Sequence, residues 1–458
     1  MKTLFITSFH SLISKNILNT DVLRRLRGER DMRVVILVQE NKASFFERHY
    51  ASENVVIQGI DTSRIAGSKS NTFFQRLFFL MIDSHYLWYK RVERRDAHPS
   101  MWAWFKYGVY EAWVWLLSGS RFLNRAARFF YRQSSSMDLL KAHFERYQPS
   151  LVFSTDVFDP NDSQVLKEAR SRGIATLGMV RSWDNCYSKG LMSVPPDHLL
   201  VNNELIKEEA MTLHDYPADR ITIVGLPQFD AFLNEERASR EEFFQKIGVD
   251  PGKRLVLFAP AGAILSDTDW QLCEILSCAL EEGSITHPVH FFVRNHPNHP
   301  ADLARFKKKP DFTIQDPGHV FDENPKNTEL DPNDQKFLAD LIYHSDVVMY
   351  VATSLGLDSA VFDKPQMMLD FDGEENKEYT KSVKRYHDED HMKKIIATGG
   401  VRVVRGKDEW IAAINAYLEH PALDRDGRAR IMKEQLFSLD GKSGMRVADQ
   451  ILKRLTAS

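Results

Sequence analysis

Short β-branched and apolar runs alternate with amphipathic stretches along most of this chain, the pattern of a parallel sheet with helices on both faces. The runs predict strands at 3–7, 34–38, 55–57, 151–154, 175–180, 198–201 and 221–224. Stretches with a period near 3.6 predict helices over 12–26, 137–147, 163–172 and 204–214. The alternation restarts at Lys253, with strands at 255–259, 289–293, 312–315, 347–351, 366–369 and 401–404. The expected fold is therefore α/β, with two doubly wound Rossmann-like domains, 1–232 and 233–438, and a closing helix in 439–458. Two such domains facing each other make a cleft at the carboxyl ends of their strands, where doubly wound sheets bind ligands. Functional residues are expected in the loops that follow strands.

Residues 73–132 break the alternation and predict a helical insertion over about 70–135. Eighteen of them are aromatic, including five of the eight tryptophans, and ten Lys or Arg stand against four acids. The whole chain has 60 Lys and Arg against 63 Asp and Glu, a net charge of -3, so nothing global argues for nucleic-acid binding. Lys106 and Glu111 interrupt the most apolar stretch before about 20 uncharged residues accumulate, which argues against a membrane span. Arg121, Arg125, Arg128 and Arg132 recur at helical spacing with Phe122, Phe129 and Phe130 largely opposite, which suits a helix lying in the headgroup plane. With Trp102 and Trp113 they are the expected contacts to the inner leaflet; the alternative is that the aromatics pack inward and the arginines face water. Cys186, Cys273 and Cys278 form no CxxC pair and the first residues are too short an apolar run for a signal peptide. The expectation is a cytoplasmic, peripherally membrane-associated protein.

Four constellations at strand ends carry the candidate chemistry. In Val347-Val348-Met349-Tyr350-Val351-Ala352-Thr353-Ser354-Leu355-Gly356-Leu357-Asp358 a buried strand runs into a helix start. Its free N–H groups and the Thr353 and Ser354 hydroxyls, with Gly356 allowing close approach, suit a phosphate; an ordinary Ser N-cap is the plainer reading. Phe291-Phe292-Val293-Arg294-Asn295-His296-Pro297 presents a guanidinium and an imidazole at another strand end, able to hold an anion and donate to a leaving phosphate. Asp358 and Gly262, the latter after the strand at 255–259, complete the donor-side set. In Arg181-Ser182-Trp183-Asp184-Asn185-Cys186-Tyr187-Ser188-Lys189-Gly190, Trp183 offers a platform while Asn185 and Lys189 can fix hydroxyls of an acceptor. Asp184 there, His10 after the first strand, and Asp156 or Asp159 after the strand ending at Ser154 are candidates to take an acceptor proton. D-x-D triplets at 267–269, 370–372, 388–390 and 424–426 are too frequent in this chain to mark a metal, and no P-loop or G-x-G-x-x-G follows a strand.

The stretch from Ser345 to Pro365, with His296-Pro297 and Ser354, resembles the donor half of GT-B glycosyltransferases of bacterial surface-polysaccharide and teichoic-acid assembly. The pair is similar to the HP and S motifs of polysialyltransferases, Kdo transferases and CDP-glycerol glycerophosphotransferases. That resemblance implies a CMP- or CDP-linked donor more than a UDP-linked one, a final helix that packs back on the first domain, and donor phosphate at the helix start. The chain departs from the family in its 73–132 insertion and in lacking a clear acidic base motif.

The reading that results is a glycosyltransferase, with no cofactor and no metal, that moves a sugar or related phosphate-linked group from a nucleotide donor to a lipid-linked or polysaccharide acceptor in cell-surface glycan synthesis. One alternative is a nucleotide-sugar 2-epimerase, whose usual Gly-Gly and Glu-Glu run is missing from Ser354-Leu355-Gly356-Leu357-Asp358. The other is a catalytically silent protein of the same fold that binds glycan or lipid-linked intermediates.

Overall fold

The computed structural model describes residues 1–66, 68–134, 139–321, 324–351 and 353–457. It divides into two compact units, Met1–Asp230 with Asp440–Ser458, and Ala231–Leu439.

The first unit is built on seven strands: β1 (Lys2–Ser8), β2 (Met32–Gln39), β3 (Val55–Ile60), β4 (Leu151–Ser154), β5 (Ala175–Met179), β6 (His198–Val201) and β7 (Ile221–Ile223). They lie in the order β3-β2-β1-β4-β5-β6-β7, all parallel, so the order reverses between β1 and β4. Strands covered on both faces read as continuous apolar runs, which is why Leu4–Ile6, Val34–Val38 and Leu151–Phe153 are inaccessible to solvent. Gly178 of β5 admits no side chain: a Cβ would lie 2.4 Å from Val157 and 2.7 Å from Pro196. Its smallness seats β5 against the loop that follows β4.

Between β3 and β4 stand four long helices, Lys69–Leu80, His85–Ala97, Met101–Leu117 and Arg121–Gln133. Each opens on a serine, Ser68, Ser84, Ser100 or Ser120, whose side chain accepts an N–H of the first turn. The expected helix over 12–26 is instead broken into a short π-helix at Ser14–Leu18 and a helix at Asp21–Arg27 capped by Thr20. The one over 137–147 is formed from Lys141 to Tyr147, with Met137 outside the described residues. The last helix, Ser443–Ala457, packs on Asp21–Arg27, and its first amides, of Ser443 and Gly444, donate to the Asp230 carboxylate at 3.1 and 2.6 Å.

The second unit has six parallel strands, β8 (Arg254–Ala259), β9 (Val289–Arg294), β10 (Phe312–Gln315), β13 (Val347–Tyr350), β14 (Gln366–Leu369) and β15 (Arg402–Val404), in the order β10-β9-β8-β13-β14-β15. Its reversal falls between β8 and β13. The antiparallel pair β11 (His319–Phe321) and β12 (Asn324–Glu329) is not foreshadowed by the pattern of the sequence. Val320 at its centre is exposed, so the pair lacks the alternation a half-buried hairpin writes into its residues.

Candidate functional site

In the first unit the loops after β1, β4 and β5 leave the carboxyl edge of three adjacent strands, at the reversal of strand order. They enclose, with the inserted helices, a cavity of about 210 Å³. His10, Asp156, Asp159, Arg181 and Lys189 line it, together with Ser163, Ser193, Leu191 and Phe158. Gln75, Phe78 and Phe79 of helix Lys69–Leu80 and Tyr131 of helix Arg121–Gln133 supply the opposite wall. No sequence spacing announces those four, because they come from an insertion that only the fold brings over the sheet edge. The Leu191 N–H donates to the Phe78 carbonyl at 2.9 Å, and the Ser84 hydroxyl donates to the Tyr187 carbonyl at 2.9 Å, which fasten the β5 loop to the insertion.

The polar groups of this cavity are ordered by hydrogen bonds. Asp156 accepts from Arg181 Nε at 2.7 Å on one oxygen, and from the Phe158 N–H at 3.1 Å and Asn185 Nδ2 at 3.3 Å on the other. Asn185 is wholly buried in that contact, so it supports Asp156 and is closed to an acceptor, unlike the expectation from its loop position. Asp184 accepts from Ser182 Oγ at 2.5 Å and Ser188 Oγ at 2.8 Å, and Trp183 beside it is half-buried. His10 Nδ1 accepts from the Leu12 N–H at 3.2 Å, which leaves Nε2 as the protonated nitrogen. Burial, and then the cations Arg181, Lys189 and Lys42, hold the ring well below its usual pKa, so it is neutral.

In the second unit the loops after β9, β8 and β13 again leave adjacent strands. Gly262, after β8, has φ +88°, and a Cβ there would lie 2.2 Å from the His299 carbonyl oxygen. Its loop is held by the Asp269 carboxylate, which accepts from the Ala261 and Gly262 amides at 3.1 and 2.8 Å, and joins the β9 loop where the Ala263 N–H meets the Pro300 carbonyl at 3.1 Å. His296 Nδ1 accepts from the Asn298 N–H at 3.1 Å, leaving Nε2 as the donor, and its ring stacks on His299 with centroids 5.3 Å apart. Thr353 and Ser354 follow β13; Ala352 between lies outside the described residues. Ser354 stands at the N-cap of helix Leu355–Val361, is exposed, and makes no side-chain cap bond, so its hydroxyl is available.

Three donor-side candidates turn out to face inward. Arg294 is buried, donates to Gln315 and lies over the Phe337 ring, and burial brings its pKa down to about 10. Asp358 is buried too and its charge opposes that fall, so the two support the loop base. Gly356 is small because a Cβ would meet the Tyr350 hydroxyl at 2.4 Å, a matter of packing on β13. Of the D-x-D carboxylates, Asp267 holds Lys377, while Asp372 accepts from the Ser382 hydroxyl and the Val383 N–H.

The inserted helices carry a broad apolar surface. On Met101–Leu117 only Val114 is buried; Trp102, Trp104, Phe105, Trp113 and Leu116 are exposed, and Trp115 is 83% exposed. On Arg121–Gln133, Phe122, Phe129 and Phe130 share the outside with Arg121, Arg125 and Arg132. Arg128 does not join them. It is buried and donates to the carbonyls of Met192 at 2.9 Å and His214 at 2.8 Å, because the inward stripe of this helix is Asn124, Ala127, Arg128 and Tyr131. Among the described residues no helix is long and apolar enough to cross a membrane.

Comparison with known proteins adds family to fold. No curated protein sequence matches the chain. Among solved structures, a UDP-GlcNAc 2-epimerase from Neisseria meningitidis bound to UDP-GlcNAc superposes with a TM-score of 0.55 at 12% identity, over 99% of this chain and 100% of that one. MnaA from S. aureus, in a structure with UDP, gives 0.56 at 10% identity over 100% and 97%. The wall teichoic acid polymerase TagF, a variant soaked with CDPG, gives 0.52 at 10% identity over 100% and 89%. At such identities the likeness is one of fold, the GT-B arrangement of two Rossmann-like domains. The family model for CDP-glycerol:poly(glycerophosphate) glycerophosphotransferases matches residues 192–453, more than half of the chain and every strand of the second unit. The chain belongs to that family of transferases.

Proposed function

We propose that this protein transfers a sugar or a related phosphate-linked group, glycerophosphate foremost, from a cytidine-activated donor to a lipid-linked or polysaccharide acceptor. The observation that carries the reading is the donor-side edge of the second unit. Within the family match, the loops after three neighbouring strands present His296, the Gly262 backbone and the Thr353–Ser354 hydroxyls together. An imidazole whose Nδ1 is taken by an amide and so donates through Nε2, and a Ser354 hydroxyl free of any cap bond beside a Thr353 hydroxyl that accepts the Leu355 N–H at 3.4 Å, suit the oxygens of a nucleotide phosphate. They would stabilise the negative charge that grows on the leaving nucleotide, the term that contributes most in such transfers. The cavity of the first unit would take the acceptor, with Lys189 at its hydroxyls.

The aromatic and arginine surface of the insertion supports contact with an anionic leaflet on the cytoplasmic side. Indole and phenyl rings at headgroup depth with arginines among them are the composition of an interfacial helix, and they would bring the enzyme to a lipid-linked acceptor.

The test is thermal stabilisation by CMP, CDP, UDP and GDP. A nucleotide at 100 times its Kd adds about 2.7 kcal/mol. We expect a cytidine nucleotide to shift the melting temperature most, and Ser354→Ala and His296→Ala to cut the shift at that concentration to about half or less with the fold retained. Equal shifts in both variants would sink the donor site. Turnover of a UDP-sugar without any acceptor would instead favour the 2-epimerase alternative, and binding without turnover the silent binding protein.

A further inference from the structure

The first-unit cavity sits among four carboxyls and an imidazole, and their hydrogen bonds divide the roles among them. Asp162 accepts on Oδ1 from the Thr7 and Ser154 hydroxyls and does not reach the cavity. Asp184 has a serine hydroxyl on each oxygen and does not line it. Asp156 lines it, but both oxygens are occupied, one by Arg181 and one by the Phe158 amide and Asn185. His10 lines it with its acceptor nitrogen already taken by the Leu12 amide, so what it offers is an N–H. Asp159 differs from all of these. As N-cap of helix Pro160–Ser171 it fixes Oδ1 on the Asn161 and Asp162 amides, at 2.7 and 3.4 Å, and its Oδ2 has no hydrogen-bond partner among the described residues.

We propose that Asp159 Oδ2 is the proton acceptor for the acceptor hydroxyl, and that His10 binds the same substrate as a donor through Nε2. This deepens the transferase reading above and rests on it. The hydroxyl proton passes to Oδ2 while the oxygen lone pair forms the bond to the donor's transferred atom. The bond from that atom to the nucleotide phosphate breaks, and its electron pair leaves on the phosphate oxygen. Burial and the Asp156 carboxylate raise the Asp159 carboxyl to about 6, against the pull of the two capping amides and Arg181. At neutral pH it is then ionised and still basic enough to take a proton, the condition for an efficient base. The groups that face it are Asp156 and Asp162 from the β4 side, Arg181 and Lys189 from the β5 loop, His10 after β1 and Tyr131 from the insertion.

Asp159→Asn is the deciding variant, because Asn caps a helix as well as Asp does and the fold persists. Unchanged melting temperature and unchanged stabilisation by the nucleotide confirm that it is folded with its donor site intact. With a transferable CDP-linked donor, wild-type kcat falls below about pH 6 as the carboxyl protonates. In Asp159→Asn, kcat drops 100-fold or more, within the usual worth of a general base, and that acidic limb disappears. His10→Gln, which still offers an N–H, raises the KM for acceptor and keeps the limb. Asp159→Asn retaining more than a tenth of the wild-type kcat, or keeping the limb, overturns the proposal alone. A wild type that releases no nucleotide from any donor overturns the transferase reading and this proposal with it.

Discussion

Two histidines, each in a loop after a strand of a different sheet, have the same ring nitrogen engaged by the same device. In each, the amide two residues ahead donates to Nδ1, Leu12 to His10 and Asn298 to His296, so Nε2 keeps its hydrogen. At His10 a side chain that sequence reasoning would assign to proton abstraction is thereby made a donor, and at His296 the same tautomer is the one that the proposed donor phosphate would need. Arg128 makes the opposite point. Its helical spacing matches Arg121, Arg125 and Arg132, yet its guanidinium is enclosed between two backbone carbonyls. Arg128→Ala should leave the Met192 and His214 carbonyls without donors and open a void, lowering stability by about 2–4 kcal/mol in urea unfolding. Arg121→Ala, exposed and paired with Asp215 at 3.3 Å, should change it by less than about 1 kcal/mol. Similar losses in both variants would contradict this assignment of their faces.

Elements of the sheets were legible because a parallel strand covered on both faces must be apolar throughout. Val347–Tyr350 and Leu151–Ser154 are buried at every position and stand out for that reason. The inserted helices were legible as helices, and their outward faces only in part. Composition shows that residues 73–132 hold too many rings for an ordinary surface, but not that Phe78 and Tyr131 turn toward the cavity while Phe122 and Phe130 turn away. Likewise Asp159-Pro160 reads as a helix start in any chain, and only the neighbouring loops and inserted helices bring Asp159 to the wall of a cavity. If the outward face meets an anionic leaflet, three arginines near the surface should contribute about 1 kcal/mol each. Replacing Arg121, Arg125 and Arg132 together with Gln should then weaken binding to phosphatidylserine-containing vesicles about 100-fold at low salt. Trp102→Ala with Trp113→Ala should weaken binding to neutral vesicles as well. Vesicle co-sedimentation unaffected by either set would mean that this surface serves something other than lipid.

At the scale of the whole chain, the same construction occurs twice. Each unit is a parallel sheet whose strand order reverses once, between β1 and β4 or between β8 and β13, and each gathers its polar loops at that reversal. Doubly wound sheets bind ligands there because the loops on the two sides of the reversal leave toward opposite faces and part. The two gatherings differ in chemistry. The first has carboxyls, a buried guanidinium and a neutral imidazole around one cavity, which suits a hydroxyl that must lose a proton. The second has hydroxyls, a glycine turn and an imidazole donor, which suits a phosphate that must leave with negative charge. Variants should therefore separate by unit. His10→Gln is expected to leave the Kd for the cytidine nucleotide within about twofold while transfer at fixed, subsaturating acceptor falls about tenfold, a loss of about 1.4 kcal/mol in transition-state binding. Ser354→Ala is expected to weaken that Kd about tenfold or more, the worth of hydrogen bonds to a charged group, and to leave the KM for acceptor near the wild-type value. Calorimetric titration of the nucleotide, set beside initial rates over a range of acceptor, measures both. A His10 variant that loses nucleotide affinity as Ser354→Ala does would assign the donor to the first unit and reverse the division of labour.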